Sequence, residues 1–293
     1  MKKLTGCLLA VSALGTLAHA QSQGPYTLKL NPKQGMTHTQ RFTMSMSMGL
    51  DAKGENGQPV PDELKQMFEG MSMNMAMNIA TTYSQVGAKQ IKGKLKISGI
   101  EIGGTGPMAA AGALGDMPKA ASGTFTVDPN DPSKMNVVME AGKGMGAENP
   151  LSNLSESGGM NFFYPKKPVM VGDYWDIDGM GGGMFGALGK GLGLGGSMGE
   201  MMYVVHFTGV EQVEGRTVGL FETDVTGNPS MDLMGQGAMS MSIHLTGVTR
   251  VDMATGLVMS GVSNATMKMD MDMPGQGKMK MNMKMTMKMV TVK

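Results

Sequence analysis

Methionine recurs at every second position through the end of the chain: Met267, Met269, Met271 and Met273, then Met279, Met281, Met283, Met285, Met287 and Met289. Side chains of a strand alternate between faces, so each run puts all its sulfurs on one side of a sheet. The positions between them are polar: Lys268, Asp270 and Asp272, then Lys280, Asn282, Lys284, Thr286 and Lys288. The pattern predicts a half-buried β-hairpin over 265–292 whose apolar face is almost entirely thioether. Setting Met273 opposite Met279 leaves a tip of Gly275-Gln276-Gly277, with glycine available for a left-handed position. That register pairs Met271 with Met281, Met269 with Met283 and Asp272 with Lys280. A slip of one residue would set methionine against lysine throughout, so the parity is strongly specified.

The same alternation marks other strands. Phe42, Met44, Met46, Met48 and Leu50 share one face, as do Met71, Met73, Met75, Met77, Ile79 and Tyr83. Ile91, Leu95 and Ile97 follow, then Phe125 and Val127, a turn over Asp128–Pro132, and a strand from Met135 to Met139. One short helix is expected over 61–69. Pro61 suits its first position, Asp62 and Glu63 its first turn, and Leu64, Met67 and Phe68 form one apolar stripe. The glycine-rich stretches 103–118 and 179–199 are too dense in glycine for stiff strands and read as loops or covers.

The chain also resembles itself. Leu30-Asn31-Pro32-Lys33-Gln34-Gly35-Met36 is similar to Tyr164-Pro165-Lys166-Lys167-Pro168-Val169-Met170, and each leads into a strand followed by an insertion carrying Met-Phe. Gly123–Asp128 pairs in the same way with Gly247–Asp252. The expected fold is therefore all-β and antiparallel, with roughly ten or eleven strands. Two similar halves, 21–160 and 161–293, form a strongly curved sheet or open barrel with the methionine faces inward.

Composition sharpens this picture. The 293 residues include 38 Met and 45 Gly, with only 5% aromatic residues, so methionine stands where Leu, Ile and Phe are usual. A net charge of +1 argues against a nucleic-acid partner or an electrostatic membrane anchor. At the N-terminus, Lys2 and Lys3 precede a short apolar stretch from Leu8 to Leu17, and Ala18-His19-Ala20 is a small-x-small cleavage site. Residues 1–20 read as a signal peptide cut after Ala20, which implies a periplasmic or extracellular protein. The apolar stretch is too short to span a membrane, and no later one is long enough. Leu4-Thr5-Gly6-Cys7 has the letters of a lipoprotein acylation box but precedes the apolar stretch it should follow, so lipidation is not expected. Cys7 is the only cysteine, and the mature chain forms no disulfide.

Leu28-x-Leu30-x-x-x-x-Gly35, Phe163-Tyr164-Pro165-x-x-Pro168-Val169-x-x-Gly172-Asp173-x-Trp175 and Asp252-x-x-Thr255-Gly256 together resemble an uncharacterised family of exported bacterial β proteins rich in Met and Lys. A weaker resemblance is to open-barrel lipoprotein carriers. The resemblance covers most of the mature chain and implies a secreted or periplasmic β protein in two halves. It brings no catalytic residues.

Three chemistries suit the thioether face. Methionine fills a core flexibly; a concave methionine surface accepts varied apolar guests; thioethers are soft ligands for Cu(I) or Ag(I). The ladder of ten shows no local cluster of three or four ligands, and a metal site usually adds a His, so neither a metal site nor a cofactor is expected. The candidate apolar ligand face comprises Met44, Met46, Met73, Met75, Met269, Met271, Met281, Met283 and Met285, with Trp175 as a core anchor or a rim aromatic. The partner it implies is a lipid or another apolar small molecule. His206 and His244 fall on outward parities, and only His38 shares the parity of Phe42 and Met44. Gly195-x-Ser197-x-Gly199 and Gly191-x-Gly193-x-x-Gly196 lie in a glycine-rich tract without the strand–turn–helix setting that their chemistry needs. Asp176-x-Asp178 lacks a following calcium loop. The reading is a non-catalytic binding protein, with a soft-metal binder or a purely structural module as alternatives.

Overall fold

The computed structural model describes residues 24–53, 70–105, 120–140, 164–177, 201–228, 230–232, 238–273 and 277–292. They form twelve strands of a single sheet. The strands are β1 (Thr37–Lys53), β2 (Ser72–Val86), β3 (Ile91–Thr105), β4 (Ala120–Asp128), β5 (Asp131–Met139) and β6 (Tyr174–Asp176), followed by β7 (Met201–Val213), β8 (Arg216–Gly227), β9 (Ser230–Asp232), β10 (Ala238–Asp252), β11 (Val258–Met273) and β12 (Gly277–Thr291). Eleven run in the order β5-β4-β3-β2-β1-β12-β11-β10-β8-β7-β6, and β9 adds to β10. All the pairings are antiparallel, and the sheet is curved and unclosed. The expected all-β antiparallel architecture is thus present. The described residues contain no helix, and the helix expected over 61–69, the stretch 179–199 and the signal peptide lie outside them.

The first and last long strands, β1 and β12, pair at the middle of the sheet, from Gln40↔Thr291 to Lys53↔Lys278. One continuous sheet therefore runs through both halves of the chain. The Gly123–Asp128 and Gly247–Asp252 segments fall in β4 and β10. Strand β3 runs three residues into the stretch expected as loop, because Gly103, Gly104 and Thr105 pair with Asn74, Met73 and Ser72. Cross-strand hydrogen bonding here overrides the weak strand preference of glycine.

The terminal hairpin forms with the expected parity but in a different register. Met271 faces Met279, Met269 faces Met281, Met267 faces Met283, and Met273 faces Gly277. Relative to the expected pairing, β12 is shifted by two residues. A shift of two keeps every side chain on its face, so the hydrophobic pattern that forbids odd slips does not distinguish even ones. Asp270, not Asp272, consequently faces Lys280, with Nζ 3.7 Å from Oδ1.

The buried interior changes character along the strands. One end is conventional. Leu28, Val169, Val205, Phe207, Phe221, Val251 and Val258 form one cluster, and Leu30, Tyr83, Ile91, Phe125, Val127 and Leu257 form another. Phe207 stacks on Phe221 at 4.8 Å, while Tyr26 meets Phe207 and Tyr83 meets Phe125 edge-on.

Two extended segments close this end. Tyr26 and Val169 exchange backbone hydrogen bonds, N to O at 2.7 and 2.9 Å. Asn31 N donates to Thr255 O at 2.8 Å, and the Tyr164 hydroxyl donates to Gly256 O. The turn they grip is held by Asp252, whose Oδ1 accepts from Ala254 N and Thr255 N. Gly256 has φ +71°, and a Cβ there would collide with the Lys29 carbonyl oxygen. Residues from the 26–31, 164–169 and 252–256 segments thus meet at one structural junction. Burial, with Tyr83 adding to it, raises the Tyr164 hydroxyl well above its ordinary pKa, so the phenol stays a hydrogen-bond donor.

Candidate functional site

The other end of the inner face is built from thioethers. Strand register aligns methionines across neighbouring strands into five successive rows of three. Two rows cross β10, β11 and β12: Met239–Met271–Met279 and Met241–Met269–Met281. A third, Met267–Met283–Met48, steps across β11, β12 and β1. Two more cross β12, β1 and β2: Met285–Met46–Met73 and Met287–Met44–Met75. Directly opposed residues in antiparallel strands have Cβ atoms about 4.5–5.5 Å apart, so the sulfurs within a row are neighbours.

Of the residues expected on a ligand face, Met269, Met281, Met283 and Met285 are buried, at 9% exposure or less. Met271, Met44, Met46, Met73 and Met75 are half-buried, as is Met48 between them. The face therefore grades from a buried floor on β11 and β12 to a partly accessible flank on β1 and β2. Met239, Met269, Met281 and Met283 form one cluster, with Met46, Met48, Met241, Met267 and Met271 packed against it; Leu50 is its single non-methionine member.

Trp175 stands apart from this cluster. It pairs with Val205 and packs edge-on against Phe221 at 6.2 Å, within the conventional core. Its indole nitrogen is buried without a hydrogen-bond partner among the described residues. This is the anchor position of the two considered for Trp175.

His38 points inward as its parity requires, but to the closed end and not to the thioethers. Its Nε2 lies 2.9 Å from Val258 O, an oxygen that also accepts from Gln40 Nε2 at 2.9 Å. Burial lowers the His38 pKa and the nearby Arg216 lowers it further, against partial offsets from the Val258 hydrogen bond and Asp252. His206 and His244 face outward, 3.9 Å from Glu222 and 3.4 Å from Asp224. Among the described residues no three His, Cys, Asp or Glu side chains converge as metal ligands. The cross-strand rows were not visible along any single strand. They depend on register between strands far apart in sequence, and the ladder pattern alone leaves that register open.

No family model matches the chain, and no curated protein matches it. Among solved structures, the CymD monoaromatic hydrocarbon channel aligns over 89% of this chain and 89% of its own, at 9% identity and a TM-score of 0.11. A likeness at that level carries no argument about fold or function. No helix among the described residues is long and apolar enough to cross a membrane, which says nothing of a β-barrel.

Proposed function

We propose that the chain is an exported, non-catalytic protein that accommodates an apolar molecule, of lipid character, on the thioether face of its sheet. The observation that carries this reading is the half-buried flank of Met44, Met46, Met48, Met73 and Met75, continuous with the buried rows in a sheet whose edges do not join. A contiguous, partly exposed apolar surface on a folded protein marks a binding surface. Flexible methionine side chains repack around guests of different shape at small energetic cost. The conventional core at the other end supplies rigidity, so the thioether end is free to adapt.

The test is native mass spectrometry of the mature protein, purified from its own envelope without detergent or chelator. A heterogeneous series of lipid-sized adducts is expected, on a polypeptide whose mass begins at Gln21. Met46→Lys sets an ammonium between Met285 and Met73 and is expected to abolish the adducts and the uptake of a hydrophobic dye while cooperative unfolding persists. Bare polypeptide mass together with no dye uptake would overturn the reading.

A further inference from the structure

We infer that the row Met241–Met269–Met281 is a binding site for a soft monovalent cation, Cu(I), with Ag(I) as its redox-inert equivalent. The first ground is the contrast within one sheet. At the closed end the buried side chains are Phe, Val, Leu, Ile and Tyr, the residues that specify a β core well. At the other end, on β10, β11, β12 and β1, the cluster is methionine throughout except for Leu50. Methionine defines a core less sharply than branched or aromatic residues do. Leu or Ile would serve burial at least as well, so burial alone does not account for so dense a run of sulfur. Coordination gives the sulfur a role, because a thioether is a soft donor that Leu and Ile lack.

The second ground is geometry. Met269 is 9% exposed and lies directly opposite Met241 on β10 and Met281 on β12. Met267 and Met271 flank it on the same face of β11, about 7 Å away along the strand. Each thioether has three side-chain torsions with which to turn its lone pair toward a shared point. Opposed Cβ atoms about 4.5–5.5 Å apart let three sulfurs close on one ion above Met269. The donors are neutral and soft. His38, His206 and His244 are all engaged elsewhere, at the closed end or on the outer face. Such a donor set selects Cu(I) over Zn(II), which prefers imidazole, thiolate and carboxylate.

The experiment uses the mature full-length protein labelled with ¹³C at the methionine methyl groups. Cu(I) is offered anaerobically in competition with bicinchoninate, and Ag(I) is titrated in chloride-free buffer while the methyl resonances are followed. The expected result is uptake of Cu(I) from the chelator, with the methyl signals of Met241, Met269 and Met281 shifting at the first equivalent of Ag(I). The variant M241L/M269L/M281L conserves volume and apolarity. Its first equivalent should bind more than about a hundredfold more weakly, beyond the effect typical of an outer-shell group. Met202→Leu, on the exposed outer face, should bind as the wild type does. Should the triple variant fail to fold, Met269→Leu alone must weaken binding at least about tenfold. No Cu(I) uptake by the wild type, or unchanged affinity in the folded Leu variant, overturns the inference. Cu(I) uptake and lipid or dye uptake are read separately on the wild-type protein, so failure of one reading is separable from failure of the other.

Discussion

At the residue scale, two positions at the closed end carry measurable consequences. Gly256 and Gly35 both adopt positive φ, +71° and +79°, but a Cβ at Gly35 meets open space, whereas one at Gly256 runs into the Lys29 carbonyl. Gly35→Ala should therefore cost only the left-handed penalty, about 1–2 kcal/mol. Gly256→Ala should cost more, because it also pushes the 26–32 segment off the Asp252–Gly256 turn. Urea unfolding of the two variants measures the difference, and equal losses would refute the close approach. His38 supplies a pH signature. Its folded pKa is depressed, chiefly by burial, from an ordinary value of 6.5. The folded protein therefore binds fewer protons than the unfolded chain just below that value. The stability held above about pH 6.5 is lost as the pH falls from there through the lowered folded pKa. His38→Gln keeps a neutral donor for Val258 O but has no proton to gain. Its unfolding midpoint should vary less between pH 7 and 5 than that of the wild type, and identical pH profiles would show that His38 does not titrate differently on folding.

At the element scale, what the sequence made legible is what parity alone determines. Strand existence, inner faces and the direction of His206 and His244 follow from alternation, because a single residue's slip would invert a whole face. The turn between β4 and β5 is equally legible, since Asp128-Pro129-Asn130 is strong turn chemistry, and Asn130 N indeed donates to Asp128 Oδ1 at 2.8 Å. The register of β11 on β12 was not legible, because a two-residue shift leaves every methionine facing methionine. Uniform ladders lack the mismatched pairs by which register is usually read. The hairpin between β7 and β8 turns at Glu214-Gly215, with φ +50° and +75°, a two-residue loop with both central residues left-handed. Glu-Gly is a weaker signal for it than Asn-Gly or Asp-Gly. The similar motifs starting at Leu30 and Tyr164 were visible in the sequence, but the meeting of their segments at the Asp252–Gly256 turn is a long-range contact that no local pattern encodes. The candidate site divides along the same line. Its residues and their face could be named from period two, whereas the rows that gather them required the partners of each strand.

At the scale of the whole molecule, the sheet is joined at its middle by the strand latest in sequence order among those described. Strand β12 is the last of the described elements, yet it lies between β1 and β11 and pairs with both along most of its length. Its pairing with β1 joins residues more than two hundred positions apart, the kind of non-local closure that slows folding. Until β12 is available, β1 and β11 each present an unpaired edge and an uncovered thioether face. The consequence is testable by removing residues 277–293. The truncated chain loses the strand that links β5 to β1 on one side with β11 to β6 on the other, and it exposes contiguous methionine on both new edges. It should lose the single cooperative unfolding transition, enlarge in hydrodynamic radius and bind hydrophobic dye without saturating at a defined stoichiometry. A truncated protein that unfolds in one transition at the intact midpoint would show that β12 does not hold the halves together. Restoring the strand in trans, as a synthetic peptide of residues 277–293, should recover the transition, because the information for its placement lies in the two edges that flank it.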